Sequence, residues 1–304
     1  MWWSIFSICS STRAFEIRKK ARAVHRLWWL RNDPLALIGL IVLVILAVSA
    51  IFAGQVAPFD PTEQHLSDTL QPPDEIYRFG TDQFGRDILS RVIHGTQISL
   101  GLGSLAVILA VAVGTTVGLA AGYVGGRVDE IIMRVIDIFF AFPPIVLAIF
   151  LMATLGPSLL NVVIVVALVT IPQFTRIARS VAISERNQDY VLAARAMGAS
   201  TASVLRRHLL VNAFPPLAVQ VTVLLADAIL IEASLSFLGI GVRPPTPTWG
   251  GILSAGRDYV FTGFWWFTVF PGLAIFLAVF SLNVLGDGLR DFIDPTTRPR
   301  GTGN

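Results

Sequence analysis

The sequence predicts an all-α integral membrane protein with six transmembrane helices and both termini in the cytoplasm. Three observations carry this reading. The 304 residues are 54% hydrophobic and only 14% charged, where a soluble chain carries about a quarter, and mean hydropathy is +0.69. Six apolar segments approach the length of about 20 residues that a hydrocarbon core ~30 Å thick demands of a helix. The basic residues gather on alternate connections between those segments.

In order, the segments are Leu35–Val56, Ile98–Val124, Val135–Leu155, Leu159–Phe174, Leu217–Leu238 and Phe264–Leu285. The fourth is the shortest. With the N-terminus inside, the cytoplasmic side holds Arg13, Arg18, Lys19, Lys20, Arg22, Arg26 and Arg31. It also holds Arg127, Arg134, Arg176, Arg179, Arg186, Arg195, Arg206, Arg207, Arg290, Arg298 and Arg300. Of the 23 lysines and arginines, only Arg78, Arg86, Arg91, Arg243 and Arg257 fall outside. Trp28 and Trp29 before the first span, and Trp265 and Trp266 at the start of the last, suit the headgroup layer.

The chain therefore divides into a basic cytoplasmic segment (1–34), a first helix with an acidic extracytoplasmic loop (35–97), a five-helix core (98–288) and a cytoplasmic tail (289–304). The core carries a cytoplasmic loop at 176–214. The segment Arg13–Arg31 lies along the anionic inner leaflet or is a solvated tail. Trp2–Ile8 is too short, and lacks the preceding basic residues, for a secretory leader. In the acidic loop Pro58, Pro61, Pro72 and Pro73 break the first part, whereas DILSRVIHGTQ from Asp87 has helical spacing and runs into the second span.

Enzymatic readings find little support. Cys9 is the only cysteine, so no disulfide framework or paired-thiol metal site is expected. His25, His65, His94 and His208 are scattered, without an HExxH pair, and GxSxG is absent. No catalytic residues and no metal site are expected. GTDQFGRD at Gly80–Asp87 nearly matches GxxxxGK[ST], but Arg86 and Asp87 stand where the phosphate lysine and magnesium hydroxyl belong. No ATPase site of the chain's own follows, and no nucleic-acid partner is expected.

Within the spans, Ala106, Ala110, Gly114, Gly118 and Gly122 recur every four residues. Such a ridge lets another helix approach closely, whether from this chain or a second one. Pro143, Pro144, Pro172 and Pro271 permit kinks. Asp227 and Glu232 lie in the fifth span, where a central carboxylate costs about 2.5–3.5 kcal/mol. Each therefore faces a pathway or fixes helix packing, and Glu232 sits nearer the outer interface. Asp137 follows Arg134 by three residues, which predicts an ion pair between them.

The segment YVLAARAMGASTASVLRRHLLVNAFPP, Tyr190–Pro216, is too charged to span. Asp189–Met197 makes about two helical turns, Gly198 suits a left-handed stop, and Ser200 caps a second helix reaching roughly Val211. Pro215 and Pro216 then open the fifth span. The result is a small-sided, basic helix–turn–helix knob, either a docking element or a connecting loop.

At these residues the sequence resembles a known family. AARAMGAS followed by HLLVNAFPP is similar to the characteristic cytoplasmic loop of binding-protein-dependent permeases of ATP-binding-cassette importers. In particular it resembles the second permease subunit of the dipeptide, oligopeptide and nickel group. NDPLALIGL, FGTDQFGRDILSRVIHGTQISL and EASLSFLGIGVRPPTPTWG extend the resemblance over roughly Asn32–Pro295.

The resemblance implies a type I importer-like permease core, with cargo a short peptide or else nickel or a nickel chelate. It implies as partners a second homologous permease, two cytoplasmic ATPases that bind ATP and magnesium, and an extracytoplasmic binding protein. It assigns ATPase coupling to Tyr190, Leu192, Ala193, Ala194, Arg195, Ala196, Met197, Gly198 and Ala199. Leu192 stands where the family often has glutamate and Val211 where it often has proline. The outer loop with Gly80, Thr81, Asp82, Gly85, Arg86 and Asp87 is an expected contact surface for the binding protein or partner permease. A proton-driven carrier using Asp227 or Glu232 is the competing reading from another class.

Overall fold

The computed structural model describes residues 34–293; the basic segment Arg13–Arg31, Trp28, Trp29, Arg298 and Arg300 lie outside them. Among the described residues the elements are helical, apart from one isolated bridge between Thr81 and Asp87. They are α1 (Pro34–Ile51), α2 (Ala53–Val56), α3 (Ile88–Val124), α4 (Gly126–Phe140), α5 (Pro144–Leu155) and α6 (Leu159–Glu185). There follow α7 (Asp189–Ala196), α8 (Thr201–Phe237), α9 (Trp249–Gly256) and α10 (Trp266–Ile293). Five helices are long and apolar enough to cross a bilayer, and the bent pair α4–α5 makes a sixth span if counted as one.

The small-residue ridge finds its partner within the chain. Ala106, Ala110, Gly114, Gly118 and Gly122 are buried along α3, and α6 lies on the glycines. A Cβ on Gly114 would sit 2.7 Å from the Phe174 Cβ, one on Gly118 would run into the Thr175 carbonyl, and one on Gly122 would meet the Arg179 carbonyl at 2.5 Å. Backbones this close gain dispersion contact along several turns, the main source of helix association where lipid is as apolar as the side chains. Farther out, Gly39 of α1 rests against the Ser281 carbonyl of α10. The other side of α1, including Ile38, Ile41 and Ile45, is exposed.

Four expectations change. The third span is not one straight helix from Val135: α4 already begins at Gly126, and α5 leaves it at 89°. Pro143 and Pro144 place the break, because each pushes the residue before it into extended backbone, and Pro143 itself has φ −56°, ψ 135°. The fourth span reaches Glu185 with Pro172 inside it. Its last turns carry arginines paired to neighbouring helices, so they can continue outside an apolar layer. Pro215 and Pro216 do not open a helix but lie within α8, which runs unbroken from Thr201 through a π-helical turn at Leu205–Leu209. Finally, Arg134 pairs with Glu130 at 2.9 Å, whereas Asp137 pairs with Arg176 of α6 at 2.7 Å.

Contacts define the two ends of the bundle. At one end Arg179 forks onto Asp129 of α4 at 2.5 and 2.6 Å, and Arg186 donates to the Gly122 carbonyl at 3.0 Å. At the other end Trp266 Nε1 donates to the Thr81 carbonyl at 3.3 Å, joining the start of α10 to the loop before α3.

Gly118→Val is expected to separate α3 from α6 and to destabilise the protein by about 1–3 kcal/mol, the usual cost of overpacking. The check is the detergent melting temperature; an unchanged value would mean the two backbones do not meet at Gly118.

Candidate functional site

The knob is built from the end of α6, α7 and the first turns of α8. Val191 and Ala194 of α7 are buried three residues apart, and Val191 shares a core cluster with Val204 and Leu209 of α8. Ser200 caps α8 by accepting from the Ser203 amide at 3.3 Å. At the end of α7 the Ala199 amide reaches back to the Ala194 carbonyl and the Gly198 amide to that of Arg195, both at 3.0 Å. This is the two-bond stop that needs a left-handed residue after the cap, and Gly198 supplies it with φ 84°.

What α7 presents is mostly apolar, with Asp189 and Arg195 as its exposed charges. Tyr190, Leu192, Ala193, Arg195, Ala196, Met197 and Gly198 are exposed, Ala199 is half-buried, and Met197 is 83% exposed. Leu192 thus contributes apolar surface where the family pattern has a carboxylate. Val211 is exposed on α8, which runs through it and on past Pro215 and Pro216. Flexible Met beside small side chains makes an adaptable contact surface.

Tyr190 joins the three elements of the knob. Its hydroxyl donates to Glu185 of α6 and accepts from Asn212 Nδ2 of α8 at 2.6 Å, while its ring lies 5.7 Å from that of His208 in the π-helical turn. Burial, then the bond to Glu185 and its charge, push the phenol up to about 12. It therefore stays a donor at physiological pH.

The two membrane carboxylates occupy different environments. Glu232 is completely buried: Oε1 accepts from Ser236 Oγ at 2.9 Å, Ser99 of α3 lies beside it, and Oε2 has no partner among the described residues. Ser99 Oγ accepts the Trp249 amide at 3.3 Å. Asp227 is exposed midway along the apolar stretch Leu217–Leu238 and makes no side-chain hydrogen bond or ion pair with the described residues. Facing lipid there would cost about 2.5–3.5 kcal/mol.

At the other end, the outer-loop residues expected to form a contact surface are structural instead. Gly80, Thr81, Asp82, Gly85, Arg86 and Asp87 are all buried. Asp82 accepts from the Phe84 and Arg86 amides and from Arg86 Nε at 2.6 Å, with Arg91 Nε at 3.5 Å. Asp87 caps α3 through the Ser90 amide and hydroxyl at 2.7 and 2.6 Å. Burial pushes its carboxyl up, and the Ser90 bonds oppose that. Only Phe84 of this stretch is exposed.

Sequence reasoning missed α9. Its Trp249 is fully buried and donates from Nε1 to the Val92 carbonyl at 3.2 Å, and Gly250 lies against the Ala233 carbonyl of α8. The TPTWG run in the sequence, a Thr N-cap before an aromatic residue, was the available signal.

The chain belongs to the family described as binding-protein-dependent transport system inner membrane components, which matches residues 114–299. Residues 25–73 match the N-terminal TM domain of oligopeptide transport permease C. The protein is thus a multi-pass permease subunit of a bacterial importer in the inner membrane, with the type I importer-like core that the resemblance implied.

It is 43% identical over 266 residues to a di/tripeptide transport system permease protein of Pseudomonas aeruginosa, covering 86% of this chain and 88% of that one. With a dipeptide transport system permease protein of Haemophilus influenzae it shares 45% identity over 274 residues, 88% and 92% of the two chains. With a probable D,D-dipeptide transport system permease protein of Escherichia coli it shares 39% over 290 residues, 95% and 97%. In fold it is similar to a chain of the inward-facing MetNI methionine ABC transporter, with a TM-score of 0.56 at 18% identity over 67% of this chain and 97% of that one.

Tyr190→Phe is expected to loosen the knob while leaving the spans in place. Its two hydrogen bonds are worth about 0.5–1.5 kcal/mol each, so amide exchange of residues 186–204 should quicken several-fold. Exchange as slow as in the wild type would show that Tyr190 does not hold the knob together. Gly198→Val forces a β-branched residue to positive φ at a cost of about 1–2 kcal/mol. The expected outcome is an inserted chain whose knob is cut by protease faster than the wild type.

Proposed function

We propose that this permease subunit carries short peptides inward as half of a translocation pathway powered by ATP hydrolysed on partner subunits. The observation that carries this reading is the likeness over most of the chain to permeases named for di- and tripeptide transport. The apolar face of α7 is the part that meets the ATPase. Its partners are a second homologous permease, two ATPases that bind ATP and magnesium, and an extracytoplasmic binding protein. The chain itself hydrolyses nothing and binds no cofactor. The knob end is cytoplasmic in this reading, as is the N-terminus, since most arginines gather there.

The geometry supports a transport step of the kind the family resemblance implies. ATP-driven closure of the ATPases moves the two α7 knobs. Tyr190 ties this chain's knob to α6 and α8, and the glycine contacts tie α6 to α3. A displacement at the knob is thus passed to three helices together, and opening of the central cavity outward follows. Neither the nickel alternative nor the proton-driven alternative draws support from the relatives, which are named for peptides.

The test is mild detergent extraction from native membranes, identification of the bound proteins, and uptake by the reconstituted complex. A second permease, two P-loop ATPases and ATP-dependent uptake of dialanine with the binding protein are the expected outcome. A chain that purifies without an ATPase and transports alone under a proton gradient would overturn it.

A further inference from the structure

The apolar stretch of α8 contains two ionisable side chains, Asp227 and Glu232, and only Glu232 has neighbours in the fold to receive it. Asp227 lies on a face of α8 that the rest of the described chain leaves uncovered. That face is not apolar throughout. Gln220, Asp227 and Ser234 fall seven residues apart, so they stand almost in line, about 10.5 Å from one to the next at 1.5 Å per residue. All three are exposed or half-buried.

The polar line extends sideways from Gln220. Its Nε2 faces Gln173 Oε1 of α6 at 3.4 Å. Gln173 in turn lines a cavity of about 350 Å³ at the α4–α5 break, with Phe139, Phe142, Pro143 and Pro172 among its walls. The cavity is in the size range of small-molecule pockets and has their mostly apolar lining with few polar groups. A carboxylate, two amides and a hydroxyl therefore share one continuous surface with an aromatic pocket, all within the membrane domain.

We infer that this surface lines the translocation pathway and that Asp227 receives the α-ammonium of the peptide in transit. The inference rests on the peptide reading proposed above and names how the pathway meets its cargo. Charge selects this end of the peptide. Along the α8 line Asp227 is the exposed charge, it is negative, and it makes no ion pair with the described residues; the cation beside the cavity, Arg176 over the Phe140 ring, is paired to Asp137 at 2.7 Å. Spacing fits as well. An extended peptide advances about 3.5 Å per residue, so a tripeptide with its ammonium at Asp227 brings its carboxyl end close to the level of Gln220 or Ser234, about 10.5 Å away, whereas a dipeptide meets Asp227 alone. A single weak ion pair in a wet path suits a site that has to release what it binds.

The experiment uses the complete complex in proteoliposomes with the binding protein, and dialanine as cargo. Asp227→Asn is expected to lower uptake about tenfold, the size of one lost charge-assisted hydrogen bond, while Asp227→Glu keeps most of it. Both variants should assemble and retain the ATPase stimulation given by the loaded binding protein. In a Cys9→Ser background, Asp227→Cys should react with a membrane-impermeant thiosulfonate, as a side chain in water does. Wild-type uptake by Asp227→Asn would overturn the inference. So would an unreactive Asp227→Cys, or a complex that falls apart on Asp227→Asn, since either means that the carboxylate pairs with a neighbouring subunit. A wild-type complex that imports no peptide fails one step earlier, at the substrate reading, and takes the ammonium assignment with it.

Discussion

The near-contact of α3 and α6 along Gly114, Gly118 and Gly122 is the constraint on which the other features hang. Because no Cβ intervenes, the Thr175 and Arg179 carbonyls lie directly on the glycine backbone. That fixes the rotation and height of α6. Arg179 then reaches Asp129 and Arg186 reaches the Gly122 carbonyl, so the last turns of α6 are held where the knob begins. Tyr190 can bridge Glu185 and Asn212 only if those helix ends keep their places. A packing choice made along the apolar spans thus sets the geometry of the helix–turn–helix knob at their end.

Much of this was legible in the sequence because its causes are local. Membrane spans are read from length and apolarity, the Gly198 stop from one residue type, and the Ser200 cap from a side chain three residues before its partner. The four-residue ridge announced a close helix contact, but periodicity on one helix carries no information about which helix answers it. The α4–α5 break was only half visible. Pro143 and Pro144 mark it, yet a bend of 89° depends on what the flanking helices pack against. Arg134 and Asp137 show the same limit: three-residue spacing allowed a pair, and Glu130 and Arg176 took one each.

The outer loop departs from expectation for a related reason. A glycine-rich, charged stretch reads as solvent-exposed, and here the charges satisfy one another. Asp82 takes two amides and two guanidinium groups, and Asp87 caps α3. Burying a carboxylate without such partners is costly; with them, the loop becomes a rigid cover fastened to Trp266 and Pro61 through Thr81 and Arg91. The buried Trp249 belongs to the same outer layer, and its role emerges only once Val92 and Ser99 are beside it.

Asp227 and Glu232 are five residues apart on one helix, and their chemistry is the same at the level of sequence. Five residues are about 500° of helical rotation at ~100° per residue, so the two side chains point roughly 140° apart. One such direction leads into the α3–α9 junction, where Ser99 and Ser236 receive a carboxyl and packing is its task. The other leads off the chain, onto a face that a bilayer cannot cover cheaply. Helical phase alone therefore divides two carboxylates between a buried, hydrogen-bonded setting and a face that the described chain leaves uncovered. That division follows from the contacts around each.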